Sequence, residues 1–206
     1  MEIKKTLIMS APNFVHLLVL STISLSSIVA LKIEEKVCEG TNSNYYLSDN
    51  SENHYRLLKN RYTNCTIVNG NLELRWIPDE RSENFDFSFL QHIREVSGYV
   101  LIAHVYVKQI IFPSLQIIKG QTLFKSNLVN DELSLVVMKS KLCNLEIPNL
   151  TEISNGSVWI QNNIDLYNIQ TFKWDEIIRG KNAKCIDVNK LYGIHYSSVS
   201  NKQAGY

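Results

Sequence analysis

Four segments of this chain share the frame Gly-x-apolar-x-apolar: Gly70-Asn71-Leu72-Glu73-Leu74, Gly98-Tyr99-Val100-Leu101-Ile102, Gly120-Gln121-Thr122-Leu123-Phe124 and Gly156-Ser157-Val158-Trp159-Ile160. The third is the imperfect copy. Three of them follow an aliphatic ladder, Leu90/Ile93/Val96, Leu115/Ile118 and Leu150/Ile153, so a Leu-x-x-Ile frame also recurs. The glycines lie 28, 22 and 36 residues apart, the spacing of a solenoid whose rungs carry insertions of unequal length. An ordinary sandwich with turn glycines is the rival reading, and the ladder before the glycine weighs against it. In a solenoid Leu72/Leu74, Val100/Ile102 and Val158/Ile160 stack from rung to rung into one core, while Glu73, Leu101 and Trp159 face out.

Such an array needs its ends covered. Ser51–Tyr62 has polar starters and then Tyr55, Leu58 and Tyr62 on one helical face, which predicts a short amphipathic helix over the first rung. Phe172-Lys173-Trp174-Asp175-Glu176-Ile177-Ile178 predicts a closing helix or turn with Trp174 inward. From Gly193 the chain is polar and patternless, and residues 191–206 are expected to be a disordered tail.

The chain opens Met1-Glu2-Ile3-Lys4-Lys5 and then runs apolar from about Phe14 to Ala30, the pattern of a secretory signal over residues 1–30 with cleavage after Ala30. An uncleaved membrane anchor is the alternative, and both readings export the domain. Beyond residue 30 basic and acidic residues are equal in number, which argues against a nucleic-acid or anionic-membrane binder. Cys38, Cys65, Cys143 and Cys185 are an even set in an exported chain and favour two disulfides, with three pairings open. Neither a CxxC pair nor an HExxH run occurs, so no metal or cofactor is expected. Three sequons, at Asn64, Asn149 and Asn155, agree with a secreted glycoprotein.

Ala30-Leu31-Lys32-Ile33-Glu34-Glu35-Lys36-Val37-Cys38-Glu39-Gly40-Thr41, the run Phe89–Ala103 and Leu115-Gln116-Ile117-Ile118-Lys119-Gly120 together resemble the first extracellular L domain of the epidermal growth factor receptor family. The resemblance covers about residues 31–180 and sets the domain at 31–190. It implies a mostly β fold, a short right-handed β-helix or leucine-rich-repeat-like solenoid with small helical caps. It also implies the disulfide Cys38–Cys65. Where the family has a second Cys this chain has Tyr167, but Leu142-Cys143-Asn144-Leu145 reads like Leu166-Tyr167-Asn168-Ile169, so a bridge Cys143–Cys185 displaced by one rung is expected.

In that family the domain holds an epidermal-growth-factor-like ligand together with a second L domain. The resemblance implies ligand-facing positions at Tyr45, Trp76, His104, Lys125 and Met138. Trp76 and His104 each lie six residues past a rung glycine, so their side chains should stack on one surface, where exposed aromatics are typical anchors. Each also has a plainer reading: Trp76 packed on the Pro78-Asp79-Glu80-Arg81 loop, His104 a solvated corner. Lys125 replaces what is often an acidic residue and would alter ligand choice.

The expected function is a secreted growth-factor-binding module, a decoy that sequesters ligand or modulates receptor signalling without signalling itself. Its partner would be an epidermal-growth-factor-like ligand or a receptor ectodomain. The alternatives are a receptor-associated structural glycoprotein and a truncated fragment of a longer receptor tyrosine kinase. Gly-rich phosphate loops and a nucleophile elbow are missing, and the scattered Asp86, Asp131/Glu132 and Asp165 read as solvated loop carboxylates, so no enzyme is expected.

Overall fold

The repeat frame becomes rungs of parallel strands. The computed structural model describes residues 34–41, 51–77, 85–166, 169 and 172–187; residues 1–30, read above as a signal, Tyr45, and residues 191–206, expected to be a tail, lie outside the described residues. In chain order the elements are β1 (Val37–Glu39), α1 (Ser51–Tyr62), β2 (Ile67–Asn69), β3 (Leu72–Ile77), a 3-10 turn (Ser88–Leu90), β4 (Glu95–Val96), β5 (Val100–Val105), β6 (Gln109–Ile111), β7 (Ile117–Ile118), β8 (Leu133–Met138), β9 (Asn144–Glu146), β10 (Glu152–Ile153), β11 (Ser157–Gln161), α2 (Trp174–Ile177) and β12 (Cys185–Asp187).

Three sheets result. The short strands before the rung glycines pair in the order β1-β2-β4-β7-β10, the longer strands beyond them as β12-β11-β8-β5-β3, and β6 pairs with β9. All these pairings are parallel. The register stacks like on like: Leu72, Val100, Leu135, Val158 and Cys185 form one inward column, and Leu74, Ile102, Val137 and Ile160 the next. Most of these side chains are fully buried, and with Val68, Val96, Ile118 and Ile153 of the first sheet they fill one core. Period-2 alternation in every rung is what makes that column continuous.

Glycine is required where neighbouring rungs crowd. A Cβ at Gly98 would lie 2.9 Å from the Gly70 carbonyl carbon and 2.0 Å from Asn71 Oδ1.

At the first rung α1 buries His54, Leu58 and Tyr62. Its Glu52 start and Lys59/Arg61 end complement the helix dipole. Tyr55, partly buried, packs against the same core as expected, stacks on Phe85 at 4.2 Å and donates its hydroxyl to the Asp86 carbonyl; His54 is the buried residue that the apolar pattern did not predict. Cys38–Cys65 ties β1 to the link between α1 and β2, two residues ahead of β2. At the other end Trp174 of α2 is buried and stacks on Phe172.

Three expectations are corrected. Gly120 turns with φ +61 but no strand follows it; the third rung strand is β8, and residues 121–132 are an insertion. That insertion folds back as a flap, Phe124 and Leu133 exchanging backbone hydrogen bonds of 2.7 and 3.0 Å. Second, Leu101 and Trp159 lie on the outer side of their sheet but are only 1% exposed, packed with Ala103, Leu133 and Val136 beneath Phe124 and Val129; Glu73 is equally buried. Third, Cys143 and Cys185 are not disulfide-bonded to each other. Cys185 points into the core column opposite Val158, whereas Cys143 immediately precedes β9 in a different sheet, so the two thiols belong to different sides of the solenoid.

Candidate functional site

The outer sheet ends in an unusual corner. Trp76, His104, Lys139 and Asn162 follow Arg75, Ala103, Met138 and Gln161, which are register partners in successive strands. All four corner residues adopt positive φ, 55°, 55°, 48° and 54°. A non-glycine residue held there costs about 1–3 kcal/mol, and four stacked in line turn these four rungs at the same point.

The turn throws these side chains outward. Trp76 is 50% exposed, and its ring lies parallel to that of His104, centroids 4.3 Å apart and 3° between planes. Buried Asn163 secures the corner from within: its Oδ1 accepts from the Ser140 amide and its Nδ2 donates to the Val137 carbonyl. Burial against Trp76, then the nearby positive charges of Lys139 and Arg75, hold the His104 pKa below its usual value. The imidazole is therefore neutral at pH 7.

Behind the stack, Glu73 accepts a hydrogen bond from the Tyr99 hydroxyl and pairs with Arg75 at 3.6 Å. Burial and the Glu73 carboxylate push the Tyr99 phenol well up, so it remains a donor. Its amide secured by Thr41 Oγ1 at 2.8 Å, Glu73 is a fixed charge under the surface.

Of the positions implied by resemblance, the structure brings together Trp76 and His104. Met138 is half-buried on the same outer face, next to Ala103. Lys125 stands apart on the flap, exposed and paired with Glu132 at 2.8 Å, which raises its pKa. Tyr45 lies outside the described residues. The sequons place Asn64, Asn149 and Asn155 on exposed turns; Asn149 Nδ2 donates to the Pro113 carbonyl and Asn155 Nδ2 to that of Gly120.

Sequence reasoning missed Lys139, Asn162 and the Glu73–Arg75–Tyr99 group. Asn162 lies six residues past Gly156, the same offset that singled out Trp76 and His104, so it was within reach. Lys139 was hidden by the insertion after Gly120.

Two depressions of about 630 and about 870 Å³ open elsewhere, the larger lined by Val129, Phe172, Trp174, Cys185 and Ile186. Neither is lined by Trp76 or His104. Among the described residues no helix is long and apolar enough to cross a membrane.

Stacked parallel rungs with an exposed aromatic corner define a solenoid recognition scaffold. More particularly, this chain belongs to the receptor L domain family, whose profile matches residues 64–178. It is similar to the epidermal growth factor receptor of Drosophila melanogaster, 49% identical over 71% of this chain and 10% of that protein. It is also similar to the epidermal growth factor receptor of Gallus gallus, 37% identical over 86% of this chain and 25% of that protein. The melanoma receptor tyrosine-protein kinase of Xiphophorus maculatus is 36% identical over 77% of this chain and 14% of its own length. The chain thus spans between a tenth and a quarter of the length of these relatives.

Proposed function

We propose that the chain is an extracellular growth-factor-binding module. It is exported by residues 1–30, takes an epidermal-growth-factor-like ligand on the outer sheet and its corner, and modulates receptor signalling by sequestering that ligand. The observation that carries this reading is the Trp76–His104 stack: two aromatic rings are locked face to face at the end of a rigid parallel sheet, one of them half in solvent. Rigid, exposed aromatics lose little entropy on binding and serve as anchors. Tyr45, Met138 and Lys125 are the further contact positions of the proposal, Lys125 acting together with Glu132 as a neutralised pair.

The test is binding of the secreted, glycosylated protein to a panel of epidermal-growth-factor-like ligands and to a receptor ectodomain. Saturable binding weakened at least tenfold by Trp76→Ala, about 1.4 kcal/mol, supports the module. Absence of ligand binding at about 100 μM, worth only about 5.5 kcal/mol, rejects it. The short span relative to the receptors favours a second reading, a non-signalling portion of a longer receptor; a transcript that continues past Tyr206 into a Cys-rich region would establish it.

A further inference from the structure

The three sequons fall on the two corners that flank the short-strand sheet β1-β2-β4-β7-β10. Thr66, Arg94, Gln116 and Thr151 form one column at the corner entering that sheet, successive backbone amides donating along it at 2.8, 2.9 and 3.0 Å. Asn64 and Asn149 each lie two residues ahead of their column threonine, so they share one ridge, three rungs or about 14 Å apart. Asn155 stands two residues past β10, at the corner leaving the same sheet. All three are exposed. The Asn149 and Asn155 amides each give one N–H to a carbonyl of the preceding rung, that of Pro113 and that of Gly120. Each carboxamide is thereby oriented and keeps its second N–H for a glycosidic bond.

We propose that Asn64, Asn149 and Asn155 carry N-linked glycans which frame the short-strand sheet from both sides and make it the covered back of the protein, so that protein partners reach the outer sheet and its corner instead. Size favours this. Five strands of two or three residues give a face only about 10 Å by about 19 Å, which sugars rooted on both long sides overhang. Chemistry agrees. The outward column Val37, Ile67, Glu95, Ile117 and Glu152 offers no aromatic anchor, and two cations there are already answered, Lys119 by Glu95 at 2.5 Å and Arg94 by Glu35 at 3.1 Å. The Trp76–His104 stack belongs to a different corner, and no residue of its column lies in a sequon. Attachment is redox-neutral: the asparagine Nδ2 bonds to C1 of an oligosaccharide carried on a lipid diphosphate, the C1–O bond to the diphosphate breaks, and the amide proton leaves with that group. Thr66 and Ser157 are buried in the fold, so the sequons of Asn64 and Asn155 are read before their rungs close.

The glycans require export, so the proposal rests on that part of the function proposed above and not on the choice of ligand. The full-length chain is produced in cultured insect cells, and the secreted protein is treated, still folded, with an amidase that releases N-glycans and converts each occupied asparagine to aspartate. Peptide masses should show that conversion at all three positions. Acylation by a water-soluble active ester should then become at least about threefold faster at Lys119, on the sheet, and stay unchanged at Lys139, in the aromatic corner. Asn155→Gln, which removes the glycan nearest the Gly120 carbonyl and hence Lys119, should by itself produce most of that gain. Because the amidase arm uses wild-type protein, it decides the matter even if the variant fails to fold. An unmodified asparagine among the three in secreted protein, or an equal Lys119 rate with and without glycans, overturns the proposal and leaves export standing. So does equal acceleration at Lys139, because the sugars would then cover the corner as well. Retention in the cytosol without glycans takes both readings down. Occupied sequons and a shielded Lys119 on a protein that binds no growth factor would reject ligand sequestration and leave this inference in place.

Discussion

Two residues show how tightly the rungs constrain chemistry. Gly98 is fixed by proximity: any side chain there meets the Gly70 backbone of the preceding rung. Gly98→Ala should therefore lower stability by about 1–3 kcal/mol, as overpacking does, read as a fall in the urea midpoint; an unchanged midpoint would mean the rungs can part at no cost. His54 is fixed by burial, which depresses its pKa below 6.5; a main-chain hydrogen bond with Arg75 opposes the shift and the Arg75 charge adds to it. Because the folded pKa lies below the unfolded one, the unfolded chain binds more protons in the window between them. Stability is then fully present above pH 6.5 and declines as pH falls toward the folded pKa. His104 shares the sign. Denaturation between pH 7.5 and 5 should show this decline, shallower in His54→Asn; an identical slope in the variant would remove His54 from the account.

At the level of elements, the legibility of the sequence followed the regularity of the rungs. Strands β3, β5 and β11 follow their glycines at once, so alternation gave their positions and their inward residues. The Gly120 rung did not read this way, because the strand it starts is postponed to Leu133 by twelve residues that have no period of their own. The same gap concealed Lys139 at the corner, and misplaced the outer face as solvated: Leu101 and Trp159 are apolar because the flap covers them. Cys143 misled for a related reason. A local Leu-Cys-Asn-Leu likeness says nothing of which sheet a residue joins, and only the register with Gln109 places it. Phe124 tests the flap directly. It meets Tyr99 edge-on at 5.6 Å and caps the outer cluster, so Phe124→Ala should cost about 2–3 kcal/mol for a partly buried ring and expose β11 amides to faster hydrogen exchange. If exchange in β11 were unchanged, the flap would be a surface loop without a covering role.

For the whole molecule, stability is built from neighbour upon neighbour. Each described rung stacks on its neighbours, and among the described residues no strand joins the two ends of the outer sheet, so its energetics approach those of a one-dimensional stack. The Cys38–Cys65 bond, which spans 27 positions and fastens the first rung beneath α1, acts at one end only. Removing it frees a loop of the unfolded chain worth about 3 kcal/mol, and in a stack that loss is felt first where the bond was. Cys38→Ser/Cys65→Ser should therefore show faster hydrogen exchange in β1, β2 and β3 while β8 and β11 keep most of their protection. That gradient bears on the proposed binding surface, because β3 carries Trp76: fraying of the first rungs would dismantle the aromatic corner before the rest of the solenoid. Uniform acceleration across all strands would instead mean that the rungs unfold as one unit, and the corner would then be as durable as the core beneath it.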